Sequence, residues 1–337
     1  MTIANNSPVR AARRPQALRL ISALPLAAAL CTAALPAHAG LTFTTTFEAT
    51  LGATAQATIN AALAEYSTLF SDNVNVSLYF KNTGAGLGSS ATYSFGQSYS
   101  SFRNALVADG TPGPGTDATA LARLAVDGSG ATNPVNGSAL ITQGSAGLAA
   151  VGINVNTTGL DFFGLTGNNN YYDGVIDLNL GLMNLDRITI DPNKYDLKAV
   201  TQHEVNEVMG TISNVGNATP RVADLFRFDG SGNRSFTSAS TASSYFSIDG
   251  TTLLAQYNQS GIGDWGDWVS CPNAAPTPQV QDACSSPGGT PNLGVEVTLL
   301  DAIGWTRVSA ANGVPEPGSL ALIGLALFGL VASRRKA

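Results

Sequence analysis

The stretch that most restricts the fold runs from Asp196 to Gly210 and reads Asp-Leu-Lys-Ala-Val-Thr-Gln-His-Glu-Val-Asn-Glu-Val-Met-Gly. Its first residue is a helix N-cap and its last a helix stop, so the residues between form one helix. Val200, Val205, Val208, Met209 and, just beyond, Ile212 make that helix largely buried, yet it carries His203, Glu204 and Glu207. Ionisable side chains inside an apolar helix are costly unless they find partners, so the rest of the chain must bring partners to them. His203 and Glu207, four residues apart, project from the same helix face with Cβ atoms about 6 Å apart, the spacing of two ligands to one metal ion. Glu204 points about 100° further round the axis.

Both chain ends read as sorting segments. Residues 1–39 carry Arg10, Arg13, Arg14 and Arg19, an apolar run from Leu20 to Leu35, and Ala37-His38-Ala39 before Gly40. That is the order of a secretory signal peptide cleaved after Ala39. Its removal takes away one of the two histidines and one of the three cysteines. His203 is then the sole histidine of the mature chain, and any metal shell around it must be completed by carboxylates. Cys271 and Cys284 remain as an even pair in an oxidising compartment, expected to close a short Pro-, Asn- and Ser-rich loop as a disulfide, with two free thiols as the alternative. At the other end, Val314-Pro315-Glu316-Pro317-Gly318 precedes an apolar run from Ser319 to Ala332 and then Arg334-Arg335-Lys336. The run is shorter than the ~20 residues that cross a bilayer comfortably, and its basic end belongs in the cytoplasm. It reads as a short transmembrane segment. The three-part order of residues 313–337 resembles the PEP-CTERM sorting signal of Gram-negative bacteria, which an exosortase recognises and removes on export. A plain C-terminal membrane anchor is the alternative.

Between these ends, residues 40–312 suffice for one large domain. Of 17 Lys+Arg and 23 Asp+Glu, seven basic residues and Glu316 lie in the ends, which leaves the body 10 basic against 22 acidic side chains. Such a surface excludes nucleic acid as a partner. Leu41–Phe47 alternates as a strand, Ala53–Phe70 has helical spacing, and Asn73–Phe80 alternates with Val74, Val76, Leu78 and Phe80 on one face. Strand, helix and strand in this order imply an α/β layer within an α+β domain. Gly84–Ser90 reads as a loop lining a cleft. Ser98–Asp109 and Asp117–Val126 read as helices, the second capped by Asp117. Leu140–Asn154, Gly174–Leu180 and Arg187–Ile190 read as strands, and Val295–Trp305 as a closing helix beneath the His203 helix. The part from Thr211 onward is loop-rich. Its Asp264-Trp265-Gly266-Asp267-Trp268 run reads as an aromatic corner packing a loop on the core, with a surface recognition patch as the alternative.

The His203-Glu204-Val205-Asn206-Glu207 segment resembles the His-Glu-x-x-His helix of zinc peptidases with glutamate in place of the second histidine. With Phe70–Val76, Gly86–Ser90, Tyr99–Leu106, Tyr195–Val200, Asp224–Phe228, Tyr245–Gly250, Gly263–Trp268 and Leu300–Trp305, it is similar to the secreted PEP-CTERM-tagged metalloproteases of Gram-negative bacteria. The resemblance implies a metzincin-like zinc peptidase domain with a central mixed sheet, an active-site helix and a loop-rich C-terminal part. It implies His203 and Glu207 as ligands of Zn²⁺ or another divalent ion, and Glu204 as the general base. The metzincin pattern places its third ligand six residues after Glu207, where this chain has Ser213. Asp224 is therefore the expected third ligand, with Asp249, Asp264 and Asp267 as alternatives and Arg227 or Tyr245 as oxyanion stabilisers. The implied partners are a protein or peptide substrate, and signal peptidase and exosortase during export. The implied location is the cell surface, outer membrane or extracellular matrix, after transient anchoring in the inner membrane. A non-enzymatic surface or biofilm-matrix protein and a carbohydrate-binding surface protein are the competing functions.

Overall fold

The computed structural model describes residues 40–110, 116–127, 130–272, 275 and 277–308. The expected signal peptide and the C-terminal sorting segment lie outside them. Among the described residues no helix is long and apolar enough to cross a membrane.

In chain order the elements are β1 (Thr42–Phe47), α1 (Ala53–Leu69), β2 (Asn75–Asn82), β3 (Gly88–Ala91), β4 (Phe95–Ser98), α2 (Tyr99–Asp109), α3 (Thr116–Val126), β5 (Leu140–Gln143), α4 (Ser145–Ala150) and α5 (Phe163–Thr166). There follow β6 (Gly174–Leu178), β7 (Met183–Asn184), β8 (Tyr195–Asp196), α6 (Leu197–Asn206), β9 (Arg227–Phe228), β10 (Tyr245–Phe246), β11 (Ala255–Gln256) and α7 (Val295–Ala302). The main sheet has the order β1-β2-β6-β3. β1, β2 and β6 run parallel, with Phe47 opposite Phe80 and Phe80 opposite Ile176, whereas β3 is antiparallel to β6 and ends the sheet.

Alternation in β2 divides the residues between two faces. Val76, Leu78 and Phe80 join Ile59, Leu63 and Tyr66 of α1 and Val205 and Val208 of the His203 helix in the main core. Each fully buried side chain of that size contributes about 1.5–3 kcal/mol. Tyr79 faces the other way, into a smaller aromatic cluster with Phe162, Tyr172 and Val175. The His203 helix, α6, packs against α1 and against β6 and β3 of the sheet. Tyr66 Oη donates to Asn206 Oδ1 at 2.7 Å, with the Gln202 carbonyl 2.9 Å away. Asp196 caps α6 by accepting from the Ala199 amide at 3.2 Å, and Arg187 Nε donates to the same carboxylate at 3.0 Å. The helix then widens into a turn over Glu207–Thr211, broken within by Gly210 at φ 132°, a conformation side-chain-bearing residues rarely adopt. α7 closes beneath this turn, where Trp305 Nε1 donates to the Met209 carbonyl at 2.9 Å.

Several local expectations are corrected. Leu140–Asn154 is a strand only to Gln143; small residues at Ser145–Ala150 turn it into the buried helix α4. Arg187–Ile190 forms no strand, because Arg187 is drawn to Asp196 and Ile188 is left 89% exposed. Gly88–Ser90 is not loop but the start of the edge strand β3. Asp117 is not the cap of α3 but lies in its first turn. The loop-rich part is held by Trp268, buried between Phe246 and Tyr257 at centroid distances of 6.0 and 5.1 Å, and by a disulfide between Cys271 and Cys284.

Candidate functional site

α6 presents His203, Glu204 and Glu207 to a cavity of about 220 Å³, across which lie Leu87–Ser90, the segment containing Asp264 and Asp267, and Asp282. Edge strand and helix meet closely at Gly88. A Cβ there would stand 2.4 Å from Glu204 Oε1 and 2.7 Å from Val200 Cγ1, so any larger residue would displace Glu204. Two positions further on, Ser90 Oγ donates to Glu207 Oε2 at 2.6 Å and fixes that carboxylate.

The candidate ligand atoms of His203, Glu207 and Asp267 lie within 4.8 Å of one another. His203 Nε2 is 3.3 Å from Asp267 Oδ1 and 3.9 Å from Glu207 Oε1. Two ligands bound at roughly 2.0–2.2 Å in tetrahedral geometry stand about 3.3–3.6 Å apart, so the His203–Asp267 separation suits one ion, whereas Glu207 would have to close in from 3.9 Å. His203 Nδ1 is 2.9 Å from the Val280 carbonyl. A carbonyl only accepts, so Nδ1 carries a proton and Nε2 faces the carboxylates, where its lone pair is open to an ion whenever the ring is neutral. Asp267 is also held, by Gln281 Nε2 at 3.0 Å and by the Asp264 amide at 3.2 Å.

The electrostatics follow from one imidazole facing five carboxylates: Glu204, Glu207, Asp264, Asp267 and Asp282. Burial alone would depress the His203 imidazole, but Asp267, with Glu204 and Glu207, raises it well above its usual range. Burial raises Glu204 and, more strongly, Glu207, each reinforced by neighbouring carboxylates and opposed by His203. Asp264 is raised by burial and by Asp267, and burial lifts Asp282 to about 6. Ionised together, these carboxylates would carry more negative charge than His203 balances, which is the condition a divalent cation relieves. With one nitrogen and several oxygen donors, the shell suits Zn²⁺ or a harder divalent ion.

The remaining expected residues lie elsewhere. Asp224 is not brought to His203. It is buried in the turn after the helix, where it accepts from Ser213 Oγ at 2.5 Å, the Asn214 amide at 3.0 Å and the Arg221 amide at 2.8 Å. Asp249 is consumed by its own turn, accepting from the Thr251 and Thr252 amides at 2.7 Å. Arg227 is buried against the Tyr257 ring and donates to the Trp265 carbonyl and Gln259, and neither it nor Tyr245 lines the cavity. Trp268 is core. Gly266 lets its loop pass against the helix end, for a Cβ there would meet the Thr211 carbonyl at 2.6 Å. Sequence reasoning missed Ser90, Val280 and Gln281. The cysteine bracket around residues 271–284 was the one signal for the last two.

Residues 313–336 match the PEP-CTERM protein-sorting motif. The motif marks an exported protein of Gram-negative bacteria, held transiently at the membrane by its C-terminus and processed by an exosortase. No curated protein and no solved structure matches the chain.

Proposed function

We propose that the exported chain is a metal-dependent peptidase of metzincin-like architecture, with His203, Glu207 and Asp267 as ligands and Glu204 as general base. The observation that carries this reading is the convergence of those three ligand side chains within 4.8 Å, in the cavity that Glu204 also lines. A bound Zn²⁺ would supply Lewis acidity to polarise a scissile carbonyl and acidify a water. Glu204, its affinity for a proton raised by burial, would take a proton from the attacking water and pass it to the leaving amine. Ser90 and Gln281 keep Glu207 and Asp267 in place, so little rearrangement accompanies the reaction. The terminal strand β3 lines one wall of the cavity, and an extended peptide pairing with it would pass Glu204.

One observation favours a second reading, a non-enzymatic surface protein. The Gln281 amide, 3.0 Å from Asp267 Oδ1 and 3.4 Å from His203 Nε2, gives both groups a hydrogen-bond partner from the chain itself. Metal content by mass spectrometry, wild type beside His203→Ala, separates the two. One transition metal per chain, lost in the variant, supports the peptidase, and Glu204→Gln should then lower peptide hydrolysis more than ~100-fold with the metal retained. A metal-free folded wild type, or a fully active Glu204→Gln, overturns it.

A further inference from the structure

His203 and Asp267 depend on a segment far from α6 in sequence. Val280 offers its carbonyl to His203 Nδ1, and the next residue, Gln281, is fully buried and donates to Asp267. Gln281 Oε1 accepts from Asn206 Nδ2 at 3.0 Å, and Asn206 Oδ1 accepts from Tyr66 Oη. Two consecutive residues of an irregular strap thus restrain both groups and join them to the main core.

An irregular strap has many conformations unless it is tethered. Besides those contacts, several tethers run to the few residues that follow Asp267. The Trp268 amide donates to the Gln281 carbonyl at 2.8 Å, and the Ala283 amide donates to the Trp268 carbonyl at 3.0 Å. The Cys284 amide donates to Ser270 Oγ at 2.7 Å, and Cys284 is bonded to Cys271. Cys271 lies four positions after Asp267, and Cys284 four positions after Val280. The disulfide therefore closes a bracket, one arm carrying a carboxylate ligand and the other the groups that orient both ligands.

We infer that this bracket, through Gln281 and the Cys271–Cys284 bond, is a positioning device that sets the affinity of the His203 site for a divalent ion. The inference rests on the metal reading above. Without Gln281, Asp267 loses its side-chain donor and Asn206 of α6 loses its partner in the strap. Without the disulfide, the Val280 carbonyl no longer has a fixed place, and the His203 ring is freer to turn and to exchange tautomers. Ligands that must be ordered on binding hold an ion less tightly than ligands already in place.

The test is the Zn²⁺ dissociation constant of the purified exported protein, read by competition with a chromophoric chelator. Wild type, Gln281→Leu and the Cys271→Ser/Cys284→Ser pair are compared, with melting of each metal-free form and near-UV circular dichroism read in parallel. Wild type should bind one ion, and Gln281→Leu should bind about 10–100-fold more weakly with its tertiary signal intact. The serine pair should bind at least as weakly as Gln281→Leu. A purely structural role would lower the melting temperatures and leave the dissociation constant of the folded protein unchanged, which would overturn the inference. Should the serine pair fail to fold, Gln281→Leu decides. A folded wild type that binds no Zn²⁺ would remove the metal reading and this inference together, whereas equal affinities in all three forms would remove the inference alone.

Discussion

Asp224 and Asp267 are both buried aspartates of the loop-rich part, and they face different partners. Asp224 is 2% exposed and satisfies two backbone amides and the Ser213 hydroxyl in the turn that carries the chain away from Gly210. Replacing it with alanine strands those donors. Each unsatisfied buried donor costs ~1–3 kcal/mol, and allowing for water at one of the three the loss should be about 3–5 kcal/mol. For a domain of this size 1 kcal/mol corresponds to ~2–4 °C, so the melting temperature should fall by roughly 6–20 °C. Zn²⁺ affinity measured well below that temperature should stay within about threefold of wild type, since Asp224 does not face His203. Asp267→Ala should do the reverse. It removes a proposed ligand and relieves a crowded set of carboxylates, so Zn²⁺ binding should weaken by at least ~100-fold while the metal-free protein melts within a few degrees of wild type. The assay is a pair of measurements on each variant, calorimetric melting of the metal-free form and chelator competition at 20 °C. An Asp224→Ala protein that melts normally and loses its metal would refute the reasoning and restore Asp224 as the third ligand.

Gly88→Ala should retain metal but lower peptide hydrolysis at least ~10-fold, because the added methyl meets Glu204 Oε1 at 2.4 Å; unchanged turnover would show that Glu204 is not held by this contact. Trp305→Phe removes a fully buried indole and its bond to the Met209 carbonyl, and urea titration should show a loss of about 2–3 kcal/mol. Burial raises Asp72, Asp109 and Asp117 to about 6, so each is easier to protonate in the folded than in the unfolded chain. Their stabilising contribution is complete below about pH 4 and is lost as pH rises through about 6. Asp72→Asn should therefore flatten the loss of stability between pH 5 and 7 by about 1–3 kcal/mol, and a parallel displacement of the whole stability curve would contradict that sign.

The layer of strand, helix and strand from Thr42 to Asn82 was legible because its signals are local: period-two alternation in β2, helical spacing in α1, and a cap and a stop around α6. The pairing of His203 with Glu207 was legible for the same reason, since i and i+4 share a helix face whatever surrounds them. Leu140–Asn154 was misread because an apolar run without clear period suits a buried helix as well as a strand. Gly88 was read as loop because a strand this short is recognised by its partner β6, which lies more than eighty residues on.

The third member of the site was open for a deeper reason. Asp224, Asp249, Asp264 and Asp267 are chemically equivalent in the sequence, and each could end beside the imidazole. Backbone donors claim Asp224 and Asp249 within a few residues of their own positions. Asp267 is carried to His203 by the burial of Trp268 and by a disulfide-tied strap from the far side of its loop. The sequence alone determined that a buried helix bearing an imidazole and two carboxylates must be satisfied. Which groups satisfy it was decided by tertiary structure, because those contacts join residues more than sixty positions apart, and only loop closure and core packing bring such residues together.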